Sequence, residues 1–275
     1  MAVITISRQV ASLGDEIAAE LAGRLGYHLV TREETHRLAV EVEPEFASRV
    51  EHLDEAGLRF WERLFFRQPK YQSLFAAVIL QLASRPQTII MGRGAQVVLR
   101  RVPQVLRVRV VAPRRVRAAR LRRELGVEDE EAREYLAQHD QARRALVSQI
   151  FTHDLRNWAL YHLVVNTEAL EAADGADILE PAVRVVERTQ PLAETSRLLA
   201  RMALGKRVET RLRQEVLNST QLRAQGEEEG VVRLVGSVPS AADSRRCREL
   251  AENTPGVERV DNELKTSRVS FRWPA

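Results

Sequence analysis

The sequence predicts an α/β fold: a five-stranded doubly wound parallel sheet, followed by a small αββαβ unit. Short β-branched runs alternate with long helical patterns through the first two thirds of the chain, the rhythm of parallel strands joined by crossover helices. Beyond Gln190 the order changes to helix, strand, strand, helix, strand. The apolar content is mostly Ala, Val and Leu, with only 5% aromatic residues, which suits helices packed on aliphatic strands better than an aromatic-rich sandwich.

The strands of the first unit are expected at Val3 to Ser7, His28 to Val30, Thr88 to Met91, Val105 to Val111 and Tyr161 to Asn166. Thr88 to Met91 is almost wholly apolar and reads as a buried strand. In Val105 to Val111, Arg107 and Arg109 alternate with Val, so one face lies near solvent or a polar ligand. Helices are expected over Asp15 to Leu25, Arg114 to Leu125 and Asp129 to Gln149. The long stretch from Glu33 to Leu82 reads as several helices broken near Pro44, Gly57 and Pro69. These boundaries give an α/β domain over 1–190 and a helical connector over 191–204. A second domain follows over 205–267, then a tail over 268–275. The second domain should hold a helix from Lys206 to Leu217, strands at Gln221 to Ala224, Val231 to Val235 and Val257 to Leu264, and a helix near Ala241 to Asn253. Gly226 to Gly230 should form an acidic turn.

The composition, 44% hydrophobic and 29% charged, supplies a core and argues against disorder. The net charge is only +4, because numerous basic residues, nearly all Arg, are almost balanced by acids. Guanidinium groups match phosphate geometry, so the clusters of arginine matter more than the total. The single cysteine, Cys247, cannot form an internal disulfide and reads as a buried thiol. The N-terminus enters directly into Val3-Ile4-Thr5-Ile6, and no segment is apolar for long enough to cross a bilayer. The expected location is cytoplasmic.

Two strand-to-helix junctions carry candidate chemistry. The first is Ser7-Arg8-Gln9-Val10-Ala11-Ser12-Leu13-Gly14, followed by Asp15 and Glu16. A loop entering a helix N-terminus offers free backbone N–H groups to phosphate. A Walker A loop also needs glycines, a Lys and a Ser or Thr, and here Asp15 and Glu16 hold the last two positions. A turn that merely caps the helix is the alternative. The second junction, Met91-Gly92-Arg93-Gly94-Ala95, sets a lone Arg between glycines at the carboxyl end of a buried strand, where ligands sit in open α/β sheets. The alternative is an Arg that caps nearby carbonyls. Two further clusters lie downstream. Arg114, Arg115, Arg117, Arg120, Arg122 and Arg123 follow the strand at Val105 to Val111, with a solvated helix face as the plain reading. Asp140 and Arg143 stand three apart on one helix, able to hold one another's geometry or to form an ordinary surface pair.

The opening Ile4-Thr5-Ile6-Ser7-Arg8-Gln9 with Glu16-Ile17-Ala18 resembles that of the cytidylate kinase-like family, where a Gly-Ser-Gly-Gly-type loop follows Ser-Arg-Gln. Ala11, Ser12, Leu13 and Gly14 stand at that loop. Gly92-Arg93-Gly94-Ala95, Asp140-Gln141-Ala142-Arg143 and the stretch Trp158 to Thr167 ending in Asn-Thr resemble further segments of the family. The resemblance implies a sheet of P-loop kinase type and Arg93 near the phosphate of an acceptor nucleotide. It implies a mobile lid around the arginine helix, with Asp140 and Arg143 as its signature. Ser7, Arg8, Ser12 and Gly14 would line the donor loop. The reaction implied is phosphoryl transfer from ATP with Mg2+ to a nucleoside monophosphate, CMP foremost, with no protein metal ligand assigned. Asp15 stands where a basic residue is expected and opposes a triphosphate, so the competing expectation is a catalytically inactive regulatory or ligand-sensing protein. Val231 to Ser240 and Pro255 to Leu264 resemble a BON domain, which implies binding of a small ligand, a lipid or a protein partner. Interleaved acids and few aromatics argue against nucleic acid.

Overall fold

The structure, a computed structural model, describes residues 2–42, 69–188, 192–216 and 222–266. The expected breaks near Pro44 and Gly57 lie outside the described residues, as does the tail beyond 266.

The first sheet is five-stranded and wholly parallel, with β1 (Val3–Arg8), β2 (His28–Leu29), β3 (Thr88–Met91), β4 (Val105–Val111) and β5 (Leu163–Asn166) in the order β2-β3-β1-β4-β5. Helix α1 (Gly14–Leu25) follows β1, α2 (Arg32–Val42) follows β2, and α3 (Pro69–Ala83) leads into β3. A single turn, α4 (Ala95–Val98), follows β3. Between β4 and β5 lie α5 (Arg114–Leu125) and α6 (Asp129–Phe151), and α7 (Ala172–Glu187) closes the unit.

Side-chain alternation sorts the sheet into two faces. Ile4, Ile6, Leu106, Val108 and Val110 face α1 and α7, meeting Ile17, Leu21, Leu179 and Val183 in one core. Val3, Ile90 and Val105 face the other way, onto Leu74, Val78, Ile79 and Leu82 of α3. Both faces are covered, as an all-parallel sheet requires.

The second sheet holds β6 (Arg223–Glu228), β7 (Val231–Val238) and β8 (Arg259–Thr266), in the order β6-β7-β8. β6 and β7 are antiparallel, and β8 returns parallel to β7 after α9 (Ala241–Glu252). Cys247 is buried in this core, and burial pushes its thiol up to about 11. Among the described residues no helix is long and apolar enough to cross a membrane.

Two local expectations change. The connector and the following helix are one continuous helix, α8 (Leu192–Glu215), which runs through Gly205. Its first half packs Leu199 and Ala203 into the core of α3, while Leu204, Val208 and Leu212 enter the core of the second sheet. Ser73 of α3 donates to the buried Glu209 of α8, which also holds Lys206 and Arg213 at 2.7 Å each. The second change is in the acidic segment, where β6 extends through Glu228 with a bulge, so the turn is confined to Glu229 and Gly230.

The glycines explain both. A Cβ on Gly205 would lie 2.7 Å from the backbone nitrogen of Gly226, and one on Gly226 would lie 2.0 Å from the carbonyl oxygen of Arg201. They serve close approach of helix to strand rather than breaking either element. Gly226→Ala is therefore expected to cost about 1–3 kcal/mol through overpacking against backbone. Urea unfolding measures it, and a cost within error of zero would contradict the close packing.

Candidate functional site

Crossovers leave β1 and β3 in opposite directions, so the crevice between their carboxyl ends is the topological switch point where open α/β sheets bind ligands. Both glycine-containing junctions meet there. The Gly92 amide donates to the Ile6 carbonyl at 3.0 Å, which ties the second junction to the first.

The first loop is held rigidly. The Gln9 amide donates to the Val110 carbonyl, and its side-chain Oε1 accepts from the Ala112 amide. Ala11 and Leu13 lie at φ 53° and 62°, the left-handed region that favours glycine. Their positions are the first and third of the four loop residues matched to the glycine-type loop, so the backbone turns there without those glycines, at about 1–2 kcal/mol per residue. Gly14 remains because a Cβ would lie 2.4 Å from Cβ of Arg8. The loop thereby delivers the first-turn amides of α1, which have no partner within the helix.

Side chains of the loop are less suited to a triphosphate. The Ser12 hydroxyl is buried and turned inward, donating to the carbonyls of Gln9 at 2.9 Å and Val110 at 3.3 Å. Asp15 grips Arg8 with both oxygens, at 2.7 Å from Nη2 and 3.2 Å from Nε. Asp15 thus sets a carboxylate in the wall of the adjoining pocket, and among the described residues no lysine lines that pocket. The backbone of the loop suits a phosphate, while its Ser12 and Asp15 side chains are each engaged within the protein.

Beside the loop lies a pocket of about 430 Å³ whose lining includes Ser7, Arg8, Arg93, Gln96 and Arg143. Gly92, Arg93 and Gly94 run left-handed in succession at φ 68°, 53° and 74°, and this tight turn sets Arg93 at the pocket wall. A Cβ on Gly94 would strike the Phe151 ring at 2.1 Å. Arg143 of α6 reaches across to donate to the Arg8 carbonyl at 3.2 Å. Burial, then repulsion from Arg8, brings its guanidinium pKa down to about 10, with Asp15 and Asp140 opposing the shift. An anion in the pocket would relieve both effects. Behind them the buried Arg109 donates to the Ser7 hydroxyl at 2.6 Å and stands 6.0 Å over the Tyr161 ring. Desolvation lowers its pKa as well. The pocket gathers Arg8, Arg93 and Arg143 against one lining carboxylate, Asp15, a balance of positive charge suited to a phosphate or carboxylate group.

Asp140 does not hold Arg143. It accepts from Arg117 at 2.9 Å and from the Val10 amide at 3.3 Å, while Arg117 also donates to the carbonyls of Ala112 and Val10. A three-residue helical spacing permits the Asp140–Arg143 contact, but a buried guanidinium on the facing helix competes for the same carboxylate. Asp140 and Arg117 are positioning residues that clamp the loop against α5 and α6. Arg120 likewise donates to the Thr167 hydroxyl and carbonyl, and that hydroxyl donates to the Ser12 carbonyl at 3.0 Å. Thr167, the second of the closing Asn-Thr pair, is thus a loop anchor, while Asn166 accepts from the Glu168 amide. Arg114, Arg115, Arg122 and Arg123 are exposed, as the solvated-face reading expects.

One site residue has no signal of its own in the sequence. Gln96 is 1% exposed, lines the pocket, and neither its amide nitrogen nor its oxygen has a partner among the described residues. Its place three residues after Arg93, on the turn of α4, is the one hint the sequence holds.

Comparison with known proteins bears on this arrangement. The model of the cytidylate kinase-like family matches residues 3–169, and that of the BON domain matches residues 203–268. No curated protein matches. Among solved structures, an uncharacterized protein from Eubacterium ventriosum is 15% identical with a TM-score of 0.51, covering 67% of this chain and 99% of its own. That likeness shows a shared fold. A shikimate kinase from Acinetobacter baumannii is 17% identical with a TM-score of 0.39, over 69% of this chain and 96% of its own. A gluconokinase from Sinorhizobium meliloti is 13% identical with a TM-score of 0.38, over 68% and 94%.

Proposed function

Because the chain belongs to the cytidylate kinase-like family, we propose that its arginine pocket binds the phosphate of a nucleoside monophosphate, CMP foremost, and that phosphoryl transfer from ATP is slow in the native chain. The observation that carries this is the contrast between the two halves of the site. On the acceptor side, Arg93 and Arg143 line the pocket with an unpartnered Gln96, in a lining that Arg8 and Asp15 share. On the donor side, Asp15 occupies Arg8 and opposes a triphosphate.

Phosphoryl transfer depends on positioning and charge neutralisation more than on a covalent nucleophile. Arg93 and Arg143 would hold the acceptor phosphate, and the clamp made by Asp140 and Arg117 would fix the loop opposite it. ATP and Mg2+ would supply the transferable phosphoryl group and its charge neutralisation. The ion pair at Asp15 favours a second reading, in which the domain senses a nucleotide without turning it over and the BON domain carries ligand or partner recognition.

Calorimetric titration with CMP and with magnesium ATP, each alone, tests the proposal. CMP should bind, and Arg93→Ala should weaken it by about tenfold or more. Gln96→Leu should also weaken CMP by about tenfold, yet leave the protein as stable as before or more so, since two unsatisfied buried atoms are removed. Absence of CMP binding by the folded native chain would remove the acceptor reading. A steady-state assay showing rapid turnover would remove the claim of slow transfer.

A further inference from the structure

We propose that a second cavity, where α8 meets the second sheet, is a binding site for a small organic anion with one acidic head and an apolar body. It is about 670 Å³ in volume and shares no lining residue with the arginine pocket. One wall is α8, and the others are Pro103 from the loop before β4 and the turns at Gly230 and Gly256. Both domains are needed to form it.

Three arginines of α8 line the cavity: Arg197, Arg201 and Arg207. Arg201 donates to the Glu227 carbonyl at 2.7 Å and Arg207 to the Pro255 carbonyl at 2.8 Å. Among the described residues none of the three forms an ion pair. The Nε atoms of Arg201 and Arg207 are shielded from solvent with no partner, and so is the hydroxyl of Thr195, a residue only 4% exposed that also lines the cavity. Guanidinium groups carried into partial burial without a counter-anion are left with an uncompensated desolvation cost. Burial accordingly lowers the pKa of Arg207. An anionic head among these groups would supply the missing acceptors.

The rest of the lining narrows the ligand. Glu228 ends β6, Glu229 lies on the opposing turn and Glu194 on α8, so a polyphosphate or nucleic-acid backbone would meet carboxylates. A single acidic head needs only the guanidinium groups of the α8 wall. Leu198 and Leu204 offer apolar surface for the body. The head is a carboxylate or a phosphate monoester, and such a molecule can be free or part of a lipid.

The test uses the full chain and calorimetry with octanoate, octyl phosphate, octanol and inorganic phosphate. Octanoate and octyl phosphate are expected to bind one to one, with octanol and inorganic phosphate weaker by about tenfold or more. Arg201→Gln should weaken both anions by about tenfold or more, and Arg93→Ala, in the other pocket, should leave them unchanged. Should Arg201→Gln fail to fold, Arg197→Glu at an exposed position gives the same readout. Octanol binding as tightly as octanoate would falsify the anion site. So would octanoate binding that survives both α8 substitutions, or that is lost with Arg93→Ala. Sedimentation with vesicles separates the sources: binding confined to anionic phospholipid vesicles, with the soluble anions inert, would overturn the cavity as the site.

Discussion

Asp15→Lys is expected to raise the affinity for magnesium ATP by about tenfold or more in calorimetric titration. Two changes act together. A carboxylate at the first turn of α1, 63% exposed, is replaced by an ammonium group, and Arg8 loses the partner that holds it at 2.7 Å. Exposure screens both effects, which is why the ion pair itself is worth about 0–1 kcal/mol in stability. A triphosphate carries several charges into the same space, so its binding responds more strongly than folding does. The backbone is already turned for phosphate by left-handed Ala11 and Leu13. Lysine at a helix N-terminus opposes the helix dipole by about 0.3–1 kcal/mol, so a small fall in thermal midpoint should accompany the gain. Asp15→Asn should fall between. If the folded lysine variant binds ATP no better than the native chain, the carboxylate is not what limits the donor side. If CMP affinity rises and ATP affinity does not, Arg8 belongs to the acceptor site.

Asp140→Ala carries the largest expected cost in stability, about 3–5 kcal/mol in urea unfolding, because it strands the buried Arg117 without its counter-charge. Arg117 keeps its bonds to the carbonyls of Ala112 and Val10, which places the expectation toward the lower end of that range. The same substitution frees the Val10 amide and loosens the loop, so weaker CMP binding should follow in whatever fraction remains folded. The double variant Asp140→Ala with Arg117→Met should recover most of the loss, since removing both charges is far less costly than removing one. A single-variant cost below about 1 kcal/mol, or a double variant no better than the single, would show that Asp140 is not the partner that matters to Arg117.

Residues of the arginine pocket were legible because glycine marks backbone need. Gly92, Arg93 and Gly94 form a left-handed turn that only such a sequence adopts readily, and the strand before it is apolar enough to place that turn at the sheet's end. Ser7 and Ser12 were legible as loop residues but not in role. A hydroxyl can face a ligand or the protein, and the carbonyls of Gln9 and Val110 and the guanidinium of Arg109 settle that only once the sheet is assembled. Gln96 was silent because a buried amide without partners is a property of its surroundings.

By itself the sequence determined the fold class, since strand and helix periodicities are local and a parallel sheet needs the crossovers they supply. It also pointed to the family, through short segments that resemble it, and the family's model matches residues 3–169. Tertiary structure alone decided which charges meet. Asp140 turned to Arg117 of the facing helix rather than to Arg143 on its own, because partners across a packed interface compete with neighbours along a helix. Gly205 and Gly226 look like breaks in sequence and became contacts, because a glycine's missing Cβ permits either, and only the element packed against it selects one.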